Sequence, residues 1–142
     1  MTNDRREFLM AGMLALAAPA LSAGQAPARP SRSVAERDAP AVNLEGWKMT
    51  ATEITLPAGA PSGAKHRHPG FVIGYVLEGQ YSFAVNDQPP KTVNAGQMFF
   101  ESFDAPGEVH STSGNASTTQ PVRFLAIVFT KKGDPVTIPG EL

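Results

Sequence analysis

From Trp47 onward, apolar positions come in short runs closed by turn residues. The first run, Trp47-Lys48-Met49-Thr50-Ala51-Thr52-Glu53-Ile54-Thr55-Leu56, is rich in β-branched residues and partly alternating, and Pro57-Ala58-Gly59-Ala60-Pro61-Ser62-Gly63 ends it. Alternation between turn signals predicts a strand followed by a loop. Phe71–Leu77 and Tyr81–Val85 flank Glu78-Gly79, and two β-rich runs joined by a short glycine-containing link predict a hairpin. Lys91–Val93, Met98–Glu101, Gly107–Thr112 and Pro121–Thr130 supply further strands, with Asn94-Ala95-Gly96 and Ser113–Ser117 as turns. Val122–Phe129 is almost wholly apolar, which suits a strand covered on both faces. Pro135–Pro139 is expected as an edge strand or a tail packed on the domain. About eight short strands at this spacing imply an all-β fold, either a closed barrel or a two-sheet jelly roll.

The pattern before Trp47 is of another kind. Arg5-Arg6 precede Phe8-Leu9-Met10 and an Ala/Leu/Met/Gly run ending in the small residues Ala18–Ala23. A positive start, an apolar stretch of about fifteen residues and a small-residue end match a secretory signal peptide, and the run is too short and alanine-rich for a membrane span. The paired arginines resemble the twin-arginine export signal, although Asp4 and Met10 depart from its usual flanking residues. An uncleaved amphipathic anchor is the alternative. Residues 24–45 are rich in Ala, Pro, Ser and charge and hold too little apolar surface to offset their ordering, so they read as a flexible linker. A short helix at Ser33–Asp38 would be marginal in water. The organisation expected is a signal at 1–23, a linker at 24–45 and one barrel domain at 46–142.

Composition narrows the partners. A formal net charge of −1 and a pI near 6.3 give no electrostatic reason to expect nucleic acid or an anionic membrane surface. Cysteine is absent, which leaves imidazole, carboxylate and water as metal ligands. The three histidines fall in two short stretches, Lys65-His66-Arg67-His68-Pro69-Gly70 and Pro106-Gly107-Glu108-Val109-His110. On an extended strand His66 and His68 leave the same face, and two imidazoles in one cavity can chelate a divalent ion. His110 could return to that cavity from another strand, while Arg67 faces the opposite side.

Residues from Trp47 to Ile138 resemble the cupin superfamily. Its first motif is His-X-His, a glutamate three to four residues later, and a glycine, and here His66, His68 and Gly79 match it. Gly96, Pro106, Gly107, His110 and Asn115 approximate the second motif. The resemblance implies a double-stranded β-helix, a divalent metal held by His66, His68 and His110, and a small molecule bound in the barrel. It also implies a homodimer formed by pairing sheet faces. The glutamate's place is taken by Val72, or by Ile73 at the longer spacing, and neither binds metal. Glu78 shares the parity of Val72 but would stand ~20 Å along the strand, and it reads as a solvated turn residue. Glu101, among Phe99, Phe100 and Phe103, is the reserve carboxylate, against a rim residue facing water. Glu108 is a turn residue.

Three imidazoles alone can hold Fe, Mn, Ni, Cu or Zn with open positions for substrate. Without the negative ligand the ion stays more positive, which favours small anionic chelating substrates such as diketonates, thiolates or phenolates. The expected function is an exported, periplasmic or extracellular cupin performing oxygen-dependent or Lewis-acid chemistry on such a molecule. The alternatives are a non-catalytic small-molecule-binding cupin and an assembly role. Tyr75, Tyr81, Phe83, Phe99 and Phe124 read mainly as barrel core. Replacing Arg5 and Arg6 together by lysine is expected to trap precursor in the cytoplasm, as read by fractionation and blotting; unaffected export would exclude the twin-arginine route.

Overall fold

The computed structural model describes residues 32–102 and 107–140. The signal reading of residues 1–23 lies outside them. Nine strands carry the described domain: β1 (Trp47–Leu56), β2 (His66–Arg67), β3 (Gly70–Glu78), β4 (Gln80–Val85), β5 (Lys91–Asn94), β6 (Met98–Glu101), β7 (Val109–Asn115), β8 (Val122–Lys131) and β9 (Ile138–Pro139). They form two antiparallel sheets, ordered β1-β8-β3-β6 and β5-β4-β7-β2-β9. No helix occurs among the described residues, including Ser33–Asp38, which carry no regular secondary structure and are exposed.

Alternation decides which side chains meet between the sheets. Val72 and Val76 of β3, Phe99 of β6 and Val122, Phe124 and Val128 of β8 point inward from one sheet; Tyr81, Phe83 and Val93 answer from the other. Tyr81 lies at its centre, with ring centroids 4.2 Å from Phe124 and 4.9 Å from Phe99. Such tilted ring contacts add about 0.5–1.5 kcal/mol each beyond burial. β8 runs between β1 and β3, and its outward residues Leu125, Ile127 and Phe129 are half-buried, in line with the apolar run read in the sequence. Residues 35–44 lie beside the outward side chains Phe71, Ile73, Met98, Phe100 and Phe129, bounding a groove of about 1110 Å³. Arg37 stacks 4.7 Å above the Phe100 ring there.

Two strand expectations change. The hairpin of β3 and β4 does not form, because β3 pairs with β6 and β8 while β4 pairs with β5 and β7 in the other sheet. One residue, Gly79, joins them, too short a link for a two-residue hairpin turn. Its φ of 77° lets the chain cross from sheet to sheet. The turn expected at Ser113–Ser117 begins later, since β7 continues to Asn115.

A Cβ at Gly79 would collide with the Pro121 carbonyl oxygen, whereas one at Gly133, with φ 96°, meets nothing within 4 Å. Gly79→Ala is therefore expected to lose roughly 2–5 kcal/mol by urea unfolding, and Gly133→Ala only the left-handed backbone cost of roughly 1–2 kcal/mol. Equal losses would refute the collision at the corner.

Candidate metal centre

The histidines meet because of a two-residue strand. β2 is paired on both sides, with His66 opposite His110 of β7 and opposite Pro139 of β9. Antiparallel partners project to one face, so the imidazoles of His66 and His110 converge, with ring centroids 4.8 Å apart. His68, the next residue of the same parity, brings its ring centroid to 5.0 Å from that of His66. One donor atom from each of the three lies within 4.8 Å of the others.

Backbone carbonyls set the ring orientations. His66 Nδ1 donates to Ala64 O at 3.0 Å and His68 Nδ1 donates to Val136 O at 2.6 Å, leaving both Nε2 lone pairs for the cluster. His110 Nε2 lies 3.2 Å from the Tyr81 hydroxyl, which is in turn 2.7 Å from Ser113 Oγ. With the imidazole proton on Nε2, donated to Tyr81, and the Tyr81 proton donated to Ser113, His110 presents its Nδ1 lone pair. Burial holds the Tyr81 hydroxyl well above its ordinary range, so it stays a phenol.

Of the two sequence readings of Glu101, reserve ligand or rim residue facing water, the rim reading is corrected by its burial. Glu101 is 4% exposed, and its Oε1 is 3.1 Å from His110 Nδ1 while Oε2 is 3.8 Å from His68 Nε2. The 3.1 Å approach lacks hydrogen-bond geometry, and both His110 Nδ1 and Glu101 Oε2 are buried without a hydrogen-bond partner. Nor is the contact an ion pair. Burial, aided by Glu108, pushes the Glu101 carboxyl up to about 8, and burial with the neighbouring His66 and His68 pushes His110 down to about 3. Burial also lowers His68. Two neutral imidazoles and orphaned acceptors suit a cation, since a metal takes up lone pairs that hydrogen bonds leave unused.

The other candidates fall outside the cluster. Val72 is core. Glu78 is exposed and pairs with Arg123 at 2.6 Å. Glu108 accepts a hydrogen bond from Ser102 N at 2.6 Å. Arg67 donates to Gly107 O at 3.4 Å. Asn115 donates to Pro57 O at 2.9 Å and Gln120 O at 2.8 Å, which ties loops together at a distance from the histidines. The supporting roles of Ser113 and of the Val136 carbonyl had no sequence signal, because a single serine and a main-chain oxygen carry none.

The family model described as "Cupin domain" matches residues 52–128, more than half of the 142-residue chain. The chain belongs to the cupin family. The crystal structure of DMSP lyase DddQ from Ruegeria pomeroyi is similar to this cupin at TM-score 0.51 and 22% identity, over 66% of this chain and 45% of that one. An uncharacterized conserved protein with a double-stranded β-helix domain from Klebsiella pneumoniae gives TM-score 0.49 and 18% identity, over 80% of this chain and 90% of that one. An oxalate oxidase in complex with the substrate analogue glycolate gives TM-score 0.49 and 20% identity, over 68% of this chain and 47% of that one. At such identities the likeness is one of fold. The cupin spans less than half the length of the lyase and oxidase chains. A comparison with curated proteins finds no match.

The buried pair gives this cupin a pH signature when metal-free. Glu101, raised from 4.5 to about 8, keeps its proton in the folded state where the unfolded chain has lost it, so its contribution to stability falls as pH rises across that window. His110, lowered from 6.5 to about 3, acts oppositely, and its contribution is lost as pH falls through that range. Above 6.5 only the Glu101 slope remains of these two. Chelator-treated protein is expected to show a urea midpoint that declines from pH 6.5 to 8, and Glu101→Gln to flatten the decline. A flat wild-type profile would refute the buried acid.

Proposed function

We propose that this cupin holds one divalent transition ion on His66, His68 and His110 and uses it to transform a small anionic molecule. The observation that carries the reading is the convergence of three imidazole donors within 4.8 Å of one another on the inner face of the barrel. Donors sharing one ion at about 2.1 Å stand about 3.0–3.4 Å apart in octahedral or tetrahedral geometry, so a modest inward rotation of the rings closes the site. When bound, the ion supplies Lewis acidity and open positions at which an anionic substrate, with or without dioxygen, can sit.

The chain's own residues do the rest. The carbonyls of Ala64 and Val136 hold His66 and His68 with Nε2 inward. Tyr81 fixes the His110 ring from behind and, with Phe83 and Phe99, packs the space beneath it. Because that interior is filled, a substrate enters from the side of His66, which is half-buried, and must be small. Apolar walls also exclude water from the inner side of the centre, which strengthens electrostatic attraction of an anion. Export to the periplasm or outside the cell is part of this reading, supported by the signal-like pattern of residues 1–23.

Protein purified with its own N-terminal sequence is expected to carry close to one transition metal per chain by elemental analysis, and the His66→Ala/His68→Ala variant to lose it. Bound metal at 100 times its dissociation constant should stabilise the wild type by about 2.7 kcal/mol. Metal content unchanged in the variant would overturn the assignment. Oxygen uptake at background over a panel of diketones, thiols and catechols, with Fe(II), Mn(II) and Cu(II) loaded in turn, would remove the oxygenase version in favour of Lewis-acid chemistry or non-catalytic binding.

A further inference from the structure

Val72 and Glu101 are cross-strand partners. β3 and β6 pair antiparallel with Val72 opposite Glu101, and such partners project to the same face with Cβ atoms about 4.5–5.5 Å apart. Both side chains point inward, Val72 at 2% and Glu101 at 4% exposure. The residue that should carry the cupin carboxylate is thus a valine, and one strand away, at the same level of the barrel, a carboxylate emerges instead.

What surrounds that carboxylate is unusual for a buried acid. Two histidine nitrogens stand beside it, His110 Nδ1 at 3.1 Å from Oε1 and His68 Nε2 at 3.8 Å from Oε2. Oε2 has no hydrogen-bond partner. The main-chain donor of the next residue, Ser102 N, is taken by Glu108. Co-ligands of one ion at about 2.1 Å lie about 3.0–3.4 Å apart, so the carboxylate stands at co-ligand separation from His110, at 3.1 Å, and somewhat beyond it from His68, at 3.8 Å. A glutamate kept only for packing would leave a buried oxygen unpaired beside imidazole lone pairs, a costly arrangement that a shared cation removes.

We infer that Glu101 is the fourth protein donor of the metal centre, the carboxylate having been moved from β3 to the facing position on β6. This rests on the three-histidine reading. The relocated donor halves the charge of a bound divalent ion's protein-ligated complex, and it comes from the opposite sheet to His66 and His110, so the ion would bind the two sheets to each other.

The test is a carboxylate exchange. Chelator-stripped wild type, Glu101→Val, Glu101→Gln and Val72→Glu/Glu101→Val are titrated with Co(II) alone, affinity being read by competition with a chromophoric chelator and the ligand set by the visible absorption bands. Glu101→Val is expected to bind at least about 100-fold more weakly with altered bands, and the exchanged variant to recover most of the affinity and the wild-type bands. Glu101→Gln, which keeps the shape, covers the case in which the exchanged protein fails to fold, and should also weaken binding by about 10-fold or more. Affinity within about threefold of wild type in Glu101→Gln and Glu101→Val, or a folded exchanged variant that binds no better than Glu101→Val, overturns the inference. If the wild type takes up no Co(II), or His66→Ala/His68→Ala binds it unchanged, the three-histidine reading fails and this inference falls with it. Histidine-dependent binding that ignores position 101 defeats this inference alone.

Discussion

Two registers decide what meets inside this barrel: His66 opposite His110 in one sheet, and Val72 opposite Glu101 in the other. A one-residue slip in either would turn every side chain of that strand to the other face. Slippage of β3 is resisted by Val72 and Val76, which are 2% and 0% exposed and interlock with Phe124, Val128 and Phe99 in one cluster. β2 has no such protection of its own, since it is two residues long. Its register is borrowed from its neighbours, β7 on one side and β9 on the other. The polar centre is positioned by the apolar core in one sheet and by main-chain pairing in the other.

The fold was largely legible in the sequence because alternation is a local signal. Trp47–Leu56 and Met98–Glu101 have the bounds their apolar patterns gave them. The link at Gly79 was misread for the same reason: two adjacent β runs look like a hairpin until sheet membership, a long-range property, is known. The three histidines were legible from their scarcity and spacing. Glu101 was legible only as a reserve carboxylate among aromatic residues, because linear spacing from His68 points to Val72 and the place of Glu101 opposite Val72 is set by the pairing of β3 with β6. Glu78 shares the parity of Val72 in sequence, but an irregularity between Val76 and Glu78 sets it opposite the outward Arg123, with which it pairs in solvent.

Polar groups at this depth are accommodated in two ways. Burial is expensive for each of them alone, and it drives Glu101 and His110 toward their neutral forms. Tyr81 illustrates the alternative solution on the same face: its hydroxyl is fully buried yet bonded to both Ser113 and His110, so its ring contributes to the core without leaving an orphaned oxygen. One residue belongs to both systems, packing with Phe124 and Phe99 on its apolar side and steadying the imidazole on its polar one.

The His68 Nδ1 bond to Val136 O spans 68 residues of sequence. During synthesis the His-X-His segment emerges long before the carbonyl that orients it, and before β9, which holds β2 from its far side. Until then the imidazole of His68 is free to turn and either nitrogen can present itself. A chain still on the ribosome would therefore carry two histidines without the carbonyl and strand that frame them, and their arrangement would be set only when residues 136–139 dock. The order of translation thus leaves the histidine frame open until the last framing strand is in place.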